Sequence, residues 1–201
     1  MSEACASAGP LAGQTRHQAG SCPGRALAAW ILIRPATPAD AGCAGELLAA
    51  SYSALLSPSY EPSPLTQALP YTIRPQAALL AGGTWYVAED RAGAAPLLGC
   101  GGWTVAAPGG VATPRLGHLP HFATRPNATR RGIGTRILAR CVADASAAGV
   151  ETLECLATLA AEPFYARLGF ARLDATRVML ADAVAFPAVR MRLRLGPLDG
   201  G

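Results

Sequence analysis

The chain has 201 residues, 51% of them hydrophobic and 15% charged, with 22 Gly and 17 Pro, a balance that builds one globular domain with a real core and excludes a disordered chain. The net charge is +4 and all 17 basic residues are Arg. With no lysine, a Schiff base on a protein amine is excluded, and the mild, scattered charge suits an anionic small molecule but not nucleic acid.

Residues 1–29 are rich in Ala, Gly, Ser and Pro without a period, and read as a flexible extension outside a domain of residues 30–201. Trp30 to Pro35 is the first strand. Thr37-Pro38-Ala39-Asp40 has the signature of a helix start, with a capping hydroxyl, a first-position proline and a carboxylate three residues on. The helix is expected to run to about Leu56 with Cys43, Leu47, Leu48 and Tyr52 inward. Ser57 to Pro70 carries four prolines, which predicts only short helical turns. Tyr60, Tyr71 and Arg74 are candidates to face a substrate there. Pro75 to Leu80 resumes a helix that stops at Gly82-Gly83.

Thr84 to Asp90 and Pro96 to Val105 read as a hairpin. Gly99, Gly101 and Gly102 weaken its second strand and predict a bulge or a close approach of another backbone. Ala106 to Pro114 is a loop. Gly117 to Thr124 is apolar and β-compatible, and Arg125-Pro126-Asn127 breaks it. Arg130-Arg131-Gly132-Ile133-Gly134-Thr135 then opens a helix whose apolar side is Ile133, Ile137, Leu138, Cys141 and Val142, with Gly149 as its stop. Val150 to Leu159 is a strand with Leu153, Cys155 and Ala157 on one face. Ala161 to Leu168 is a short helix ended by Gly169, and Phe170 to Leu180 and Val189 to Leu195 are the last strands.

Six cysteines form neither C-x-x-C nor a Cys/His cluster, so no metal centre is expected, and a reducing, cytoplasmic setting is the simplest. No apolar run approaches membrane-spanning length, and no signal-peptide order precedes Ala26 to Ile33.

The strand–loop–helix from Gly117 to Arg140 has the geometry of an anion site. A helix's first turn leaves backbone N–H groups unpaired at the positive end of its dipole. Gly132 and Gly134 lack a Cβ, so a phosphate can reach the main chain. Arg130 and Arg131 add charge at the rim. An ordinary connection with two turn glycines reads equally well from the loop alone.

Thr124-Arg125-Pro126 followed by Gly132-Ile133-Gly134 resembles motif A of the GCN5-related N-acetyltransferases, the GNAT family, which has Val-x-Pro and then Arg/Gln-x-x-Gly-x-Gly/Ala. Thr129 stands at the Arg/Gln position. A second block, Thr158 to Phe170, resembles the family's Asn-x-x-Ala-x-x-x-Tyr-x-x-x-Gly-Phe, with Thr158 in the Asn place, Ala161, Tyr165 and Gly169-Phe170. The resemblance covers roughly Ile31 to Leu195. It implies a mixed, mostly antiparallel sheet of six to seven strands with helices on both faces, split where acetyl-CoA enters. It implies acetyl transfer to an amine by direct attack in a ternary complex, with a catalytically silent acyl-CoA sensor as the alternative.

On that resemblance the cofactor residues are the backbone of Phe122, Ala123 and Thr124, the loop Thr129, Arg130, Arg131, Gly132, Ile133, Gly134 and Thr135, and Thr158. Tyr165 is the candidate acid beside the cofactor sulfur. His121 and His118 are the candidate bases, since imidazole titrates near neutrality. A bulge at Pro120 can bring both to one side. Glu162 is a further carboxyl candidate. The acceptor is expected to be a small-molecule amine, because no acidic run awaits a basic peptide, and the protein a monomer or homodimer.

Overall fold

Alternation of side chains along one strand fixes where the helices go. In β2 (Trp85–Asp90), Tyr86 and Ala88 are buried in one apolar cluster and Trp85 and Val87 in another. The first cluster is completed by α4 (Ile133–Ala147) through Ile133, Ile137, Leu138, Cys141 and Ala145. The second is completed by α1 (Ala41–Leu55) through Ala44, Leu47 and Leu48. Opposite faces of one strand therefore carry opposite helices, as period-two patterning demands. The computed structural model describes residues 30–73, 75, 77–91, 96–107, 110–180 and 184–196. The proposed extension, residues 1–29, lies outside the described residues, as does Arg74.

Two four-stranded sheets make up the framework. In the first, β1 (Ile31–Pro35), β2, β3 (Gly99–Gly102) and β5 (Ala123–Thr124) run antiparallel in that order. In the second the order is β4 (Leu116–His118), β6 (Thr152–Ala157), β8 (Val184–Arg194) and β7 (Ala171–Leu180), with β4–β6 parallel and the rest antiparallel. The sequence reading made Gly117 to Thr124 one strand. It is two, β4 in one sheet and β5 in the other, joined by a bridge between Thr104 and His118. From Cys100 to Thr104 is four steps, while their partners Ala123 and His118 are five apart. One extra residue on one strand is a β-bulge. His121, within it, has φ +51°.

The glycines of β3 are explained by side chains rather than by a bulge in β3 itself. A Cβ on Gly99 would lie 2.5 Å from Ile133 Cγ2, on Gly101 2.8 Å from the Phe122 ring, and on Gly102 2.4 Å from Trp85 Cδ1. At Gly102 the neighbouring backbone also closes in, with Thr84 O at 2.6 Å.

The helix start at Thr37 has its expected chemistry: the Asp40 carboxylate accepts the Thr37 N–H at 2.7 Å and the Arg34 guanidinium at 2.8 and 2.9 Å. Those bonds hold the Asp40 pKa at about 2, with the Arg34 hydrogen bond the largest cause. Cys43, expected inward, is exposed, and Ala44 and Ser51 are buried in α1 with Leu47 and Leu48. The proline-rich stretch forms more helix than expected: α2 (Pro62–Thr72) is 11 residues long. Pro62 and Pro64 occupy its first turn, where no intrahelical N–H bond is lost, and only Pro70 lies inside. A short α3 (Ala77–Ala81) follows, and α5 (Glu162–Arg167) precedes β7. The last strand starts before its expected Val189, because Phe186, buried under the α1–α2 connection, and Ala188, also buried, belong to the sheet.

Candidate functional site

Because β5 pairs with β3 while β4 stays with β6, the sheet opens after Leu119, whose N–H still donates to Glu154 O, between the Pro120–Thr124 segment and the end of β6. A cleft of about 500 Å³ fills the opening. Its lining comes from α1, the bulge, the loop before α4, the end of β6 and α5.

One end is the loop. Arg130 at φ +60° and Gly132 at φ +75° both take left-handed backbone. Gly132 is the helix N-cap, and a Cβ there would meet nothing within 4 Å. Backbone conformation, not space, thus calls for glycine. Gly134 differs: its Cβ would stand 3.2 Å from Phe164 Cζ. The first intrahelical bond runs from Arg136 N to Gly132 O at 3.0 Å, which leaves the amides of Ile133, Gly134 and Thr135 without helical acceptors. Amides turned outward by left-handed residues at a helix start form a concavity suited to an anion. Thr129, Arg130, Gly132, Ile133, Gly134 and Thr135 all line the cleft. Arg131 does not, and its Nε is buried with no hydrogen-bond partner among the described residues. The helix itself begins at Ile133, three residues later than the sequence suggested.

Tyr165, 4% exposed, is part of the cleft wall. Its ring meets Phe122, Phe164 and Phe170 edge-on, with centroids 6.2, 5.1 and 5.2 Å away. Burial raises its pKa well above the ordinary phenol value, so the hydroxyl remains a donor at any physiological pH. His121 also lines the cleft, and burial lowers its pKa. Its imidazole is therefore neutral at pH 7 and able to accept a proton. His118 is not in the cleft wall. It stands opposite Glu154 in the sheet, and its Nε2 is buried without a partner among the described residues. The bulge therefore separates the two histidines instead of bringing them together. Phe122, Ala123, Thr124 and Thr158 line the cleft. Glu162 does not; it pairs with Arg172 at 3.5 Å.

Of the three candidates for the substrate wall, Tyr60 has a structural task. Its hydroxyl donates to Pro187 O at 2.9 Å and accepts from Leu159 N at 2.8 Å, and its ring stacks on Phe186 at 4.4 Å. Tyr71 is exposed and outside the cleft wall. The sequence reading missed Ser51, Tyr52, Leu55 and Leu56, which α1 presents to the cleft, and Arg167 on α5. Arg167 had a legible signal: it follows Phe164 by three residues, hence shares its helix face. Leu55 and Leu56 had none, because the face of a helix that meets a cleft looks in sequence like one that meets a core.

The match of residues 81–172 to the acetyltransferase (GNAT) domain model fits this geometry. A GCN5-related N-acetyltransferase structure from Rhodopseudomonas palustris superposes with a TM-score of 0.62 at 19% identity, over 82% of this chain and 95% of that one. PaiA N-acetyltransferase from Thermoplasma acidophilum, in complex with coenzyme A, gives 0.62 at 15% identity, over 82% and 98%. A GNAT family acetyltransferase from Brucella melitensis, in complex with acetyl-CoA, gives 0.54 at 20% identity, over 83% and 89%. Among curated proteins no sequence matches this chain. The fold class is that of the acyltransferases of this type. Within it, residues 81–172 match the acetyltransferase (GNAT) domain model, and the chain has the fold these acetyltransferases share. Among the described residues no helix is long and apolar enough to cross a membrane, and no cluster of three metal-binding side chains occurs.

Proposed function

We propose that the protein is an N-acetyltransferase that moves the acetyl group of acetyl-CoA directly to a small-molecule amine. The observation that carries this reading is the joint placement of Tyr165, His121 and the amide-rich loop around one cleft that splits the sheet. The pyrophosphate of acetyl-CoA fits the loop end, where Gly132 to Thr135 offer free amides and Arg130 and Arg167 offer charge. The pantetheine arm runs beside Phe122, Ala123 and Thr124, as an added strand pairs with an exposed edge. Thr158 flanks it from β6.

In this reading His121 takes the proton of the incoming ammonium, and the neutral nitrogen attacks the thioester carbonyl carbon. The carbon–sulfur bond then breaks. Tyr165 donates to the departing thiolate, and the proton that nitrogen sheds in forming the amide restores the phenol. Burial makes a free phenolate costly, so proton gain and loss at Tyr165 stay coupled. Much of the acceleration is positioning, since both reactants share one cleft.

The test is release of CoA thiol when the protein is incubated with acetyl-CoA and a panel of amines. Amine-dependent release with an acetylated product supports transfer. Acetyl-CoA binding without turnover on any amine refutes it in favour of an acyl-CoA sensor.

A further inference from the structure

We infer that the acceptor is a compact, apolar monoamine, of the alkyl or arylalkyl class, with no second charge. The inference deepens the acetyltransferase reading and rests on it. It starts from the two unlike ends of the cleft. Both cleft arginines, Arg130 and Arg167, belong to the loop before α4 and to α5, the elements that frame the phosphate end. Outside the loop and α5 the lining includes Ser51, Tyr52 and Leu55 from α1 and Leu56 at its C-cap, Leu119 and His121 from the bulge, and Leu156 from β6, so it is mostly apolar.

Leu156 is the informative residue. It lies on the β6 face that also carries Glu154 and Thr158, opposite the buried face of Leu153, Cys155 and Ala157. A leucine on that face, 39% exposed and in the cleft wall, gives up burial that its neighbours on the other side gain. An exposed apolar side chain inside a concave site marks where an apolar ligand group rests.

Charge argues the same way. No Asp or Glu is among the described residues that line the cleft. Acids on neighbouring elements are paired: Glu154 with Arg192, Asp174 with Arg190 and Glu162 with Arg172. A polyamine or amino sugar would bury a second ammonium with no carboxylate to meet it. An amino acid would bring a carboxylate to an end of the cleft that has no arginine. A monoamine brings one charge only, and His121 stands in the same wall to receive its proton.

The experiment uses the full chain with acetyl-CoA and reads thiol release for hexylamine, phenethylamine, spermidine, glutamate and an aminoglycoside. The expected result is a kcat/KM for hexylamine or phenethylamine at least about tenfold above every other amine, in line with what apolar pocket contacts discriminate. Leu156→Asp should lower turnover of phenethylamine by about tenfold and raise that of a linear diamine. Leu156→Gln, a gentler change, should lower phenethylamine turnover in the same direction, which keeps the test valid if the aspartate variant does not fold. Acetyl-CoA affinity by calorimetry should change by less than about threefold in both, because Leu156 is on β6 and not among the loop residues whose amides would hold the phosphates. Preference for spermidine, glutamate or the aminoglycoside overturns the apolar acceptor and leaves the transferase reading standing. Acetyl-CoA binding with no amine acetylated overturns both.

Discussion

Removing the Tyr60 hydroxyl tests whether the α1–α2 connection is fixed to β8 and to the residues that follow β6. Tyr60→Phe keeps the ring, so its stacking on Phe186 and its buried area survive. Two hydrogen bonds are lost, one donated to Pro187 O at 2.9 Å and one accepted from Leu159 N at 2.8 Å. Each is worth about 0.5–1.5 kcal/mol net, so the loss is about 1–3 kcal/mol. At about 2–4 °C per kcal/mol for a chain of this size, the melting temperature should fall by roughly 2–12 °C, with the middle of that range expected. Burial raises the Tyr60 pKa, so the hydroxyl is a donor throughout the neutral range and the effect should not vary between pH 6 and pH 8. Thermal unfolding followed by circular dichroism measures it. Leu159 leads directly into Ala160 and Ala161 of the cleft wall, so the Michaelis constant for the amine should rise as well. A melting temperature within about 1 °C of the parent would show that the connection is not held by these bonds and would remove Tyr60 from the framework of the site.

Three further outcomes are expected. Gly134→Glu puts a Cβ about against Phe164 and a carboxylate at the phosphate end, so acetyl-CoA affinity by calorimetry should fall at least about tenfold in a folded protein; unchanged affinity would move the site elsewhere. Tyr165→Phe should lower kcat by about ten- to a thousandfold with little change in acetyl-CoA affinity, and a kcat equal to the parent's would exclude the hydroxyl from the chemistry. Burial lowers the His121 pKa from its ordinary value of 6.5, so the base form is complete above that pH and is lost as pH falls through the shifted value. The acidic limb of kcat/KM should then lie below pH 6.5 and vanish in His121→Gln. A limb that persists in the variant, or that moves with the pKa of the amine, would assign it to another group.

Local signals carried much of the molecule into view before any coordinates. The proline break after Thr124, the glycines before α4 and the period of Ile133, Ile137, Leu138 and Cys141 depend on neighbours within one helical turn or a few residues of loop. So does the Thr37–Asp40 start, where one carboxylate closes the turn. Such features are written in short stretches because backbone conformation and periodicity are short-range properties. The resemblance to the acetyltransferase motifs rode on the same stretches.

Tertiary structure decided what depends on residues far apart in the chain. Whether Gly117 to Thr124 is one strand or two is settled by competition between β3 and β6 for its backbone bonds, and nothing within those eight residues records the outcome. That one extra residue in the ladder sends His121 into the cleft and leaves His118 beside Glu154. Sequence alone leaves Tyr60, among its prolines, open as a substrate contact or a packed loop residue, and its partners Pro187 and Leu159 lie more than 90 positions on. The apolar wall of the cleft was hidden for the same reason: Leu55, Leu56, Leu119 and Leu156 are ordinary core-type residues one at a time, and only the splitting of the sheet places them around one opening, since a side chain's burial is fixed by what packs on it and not by its own identity.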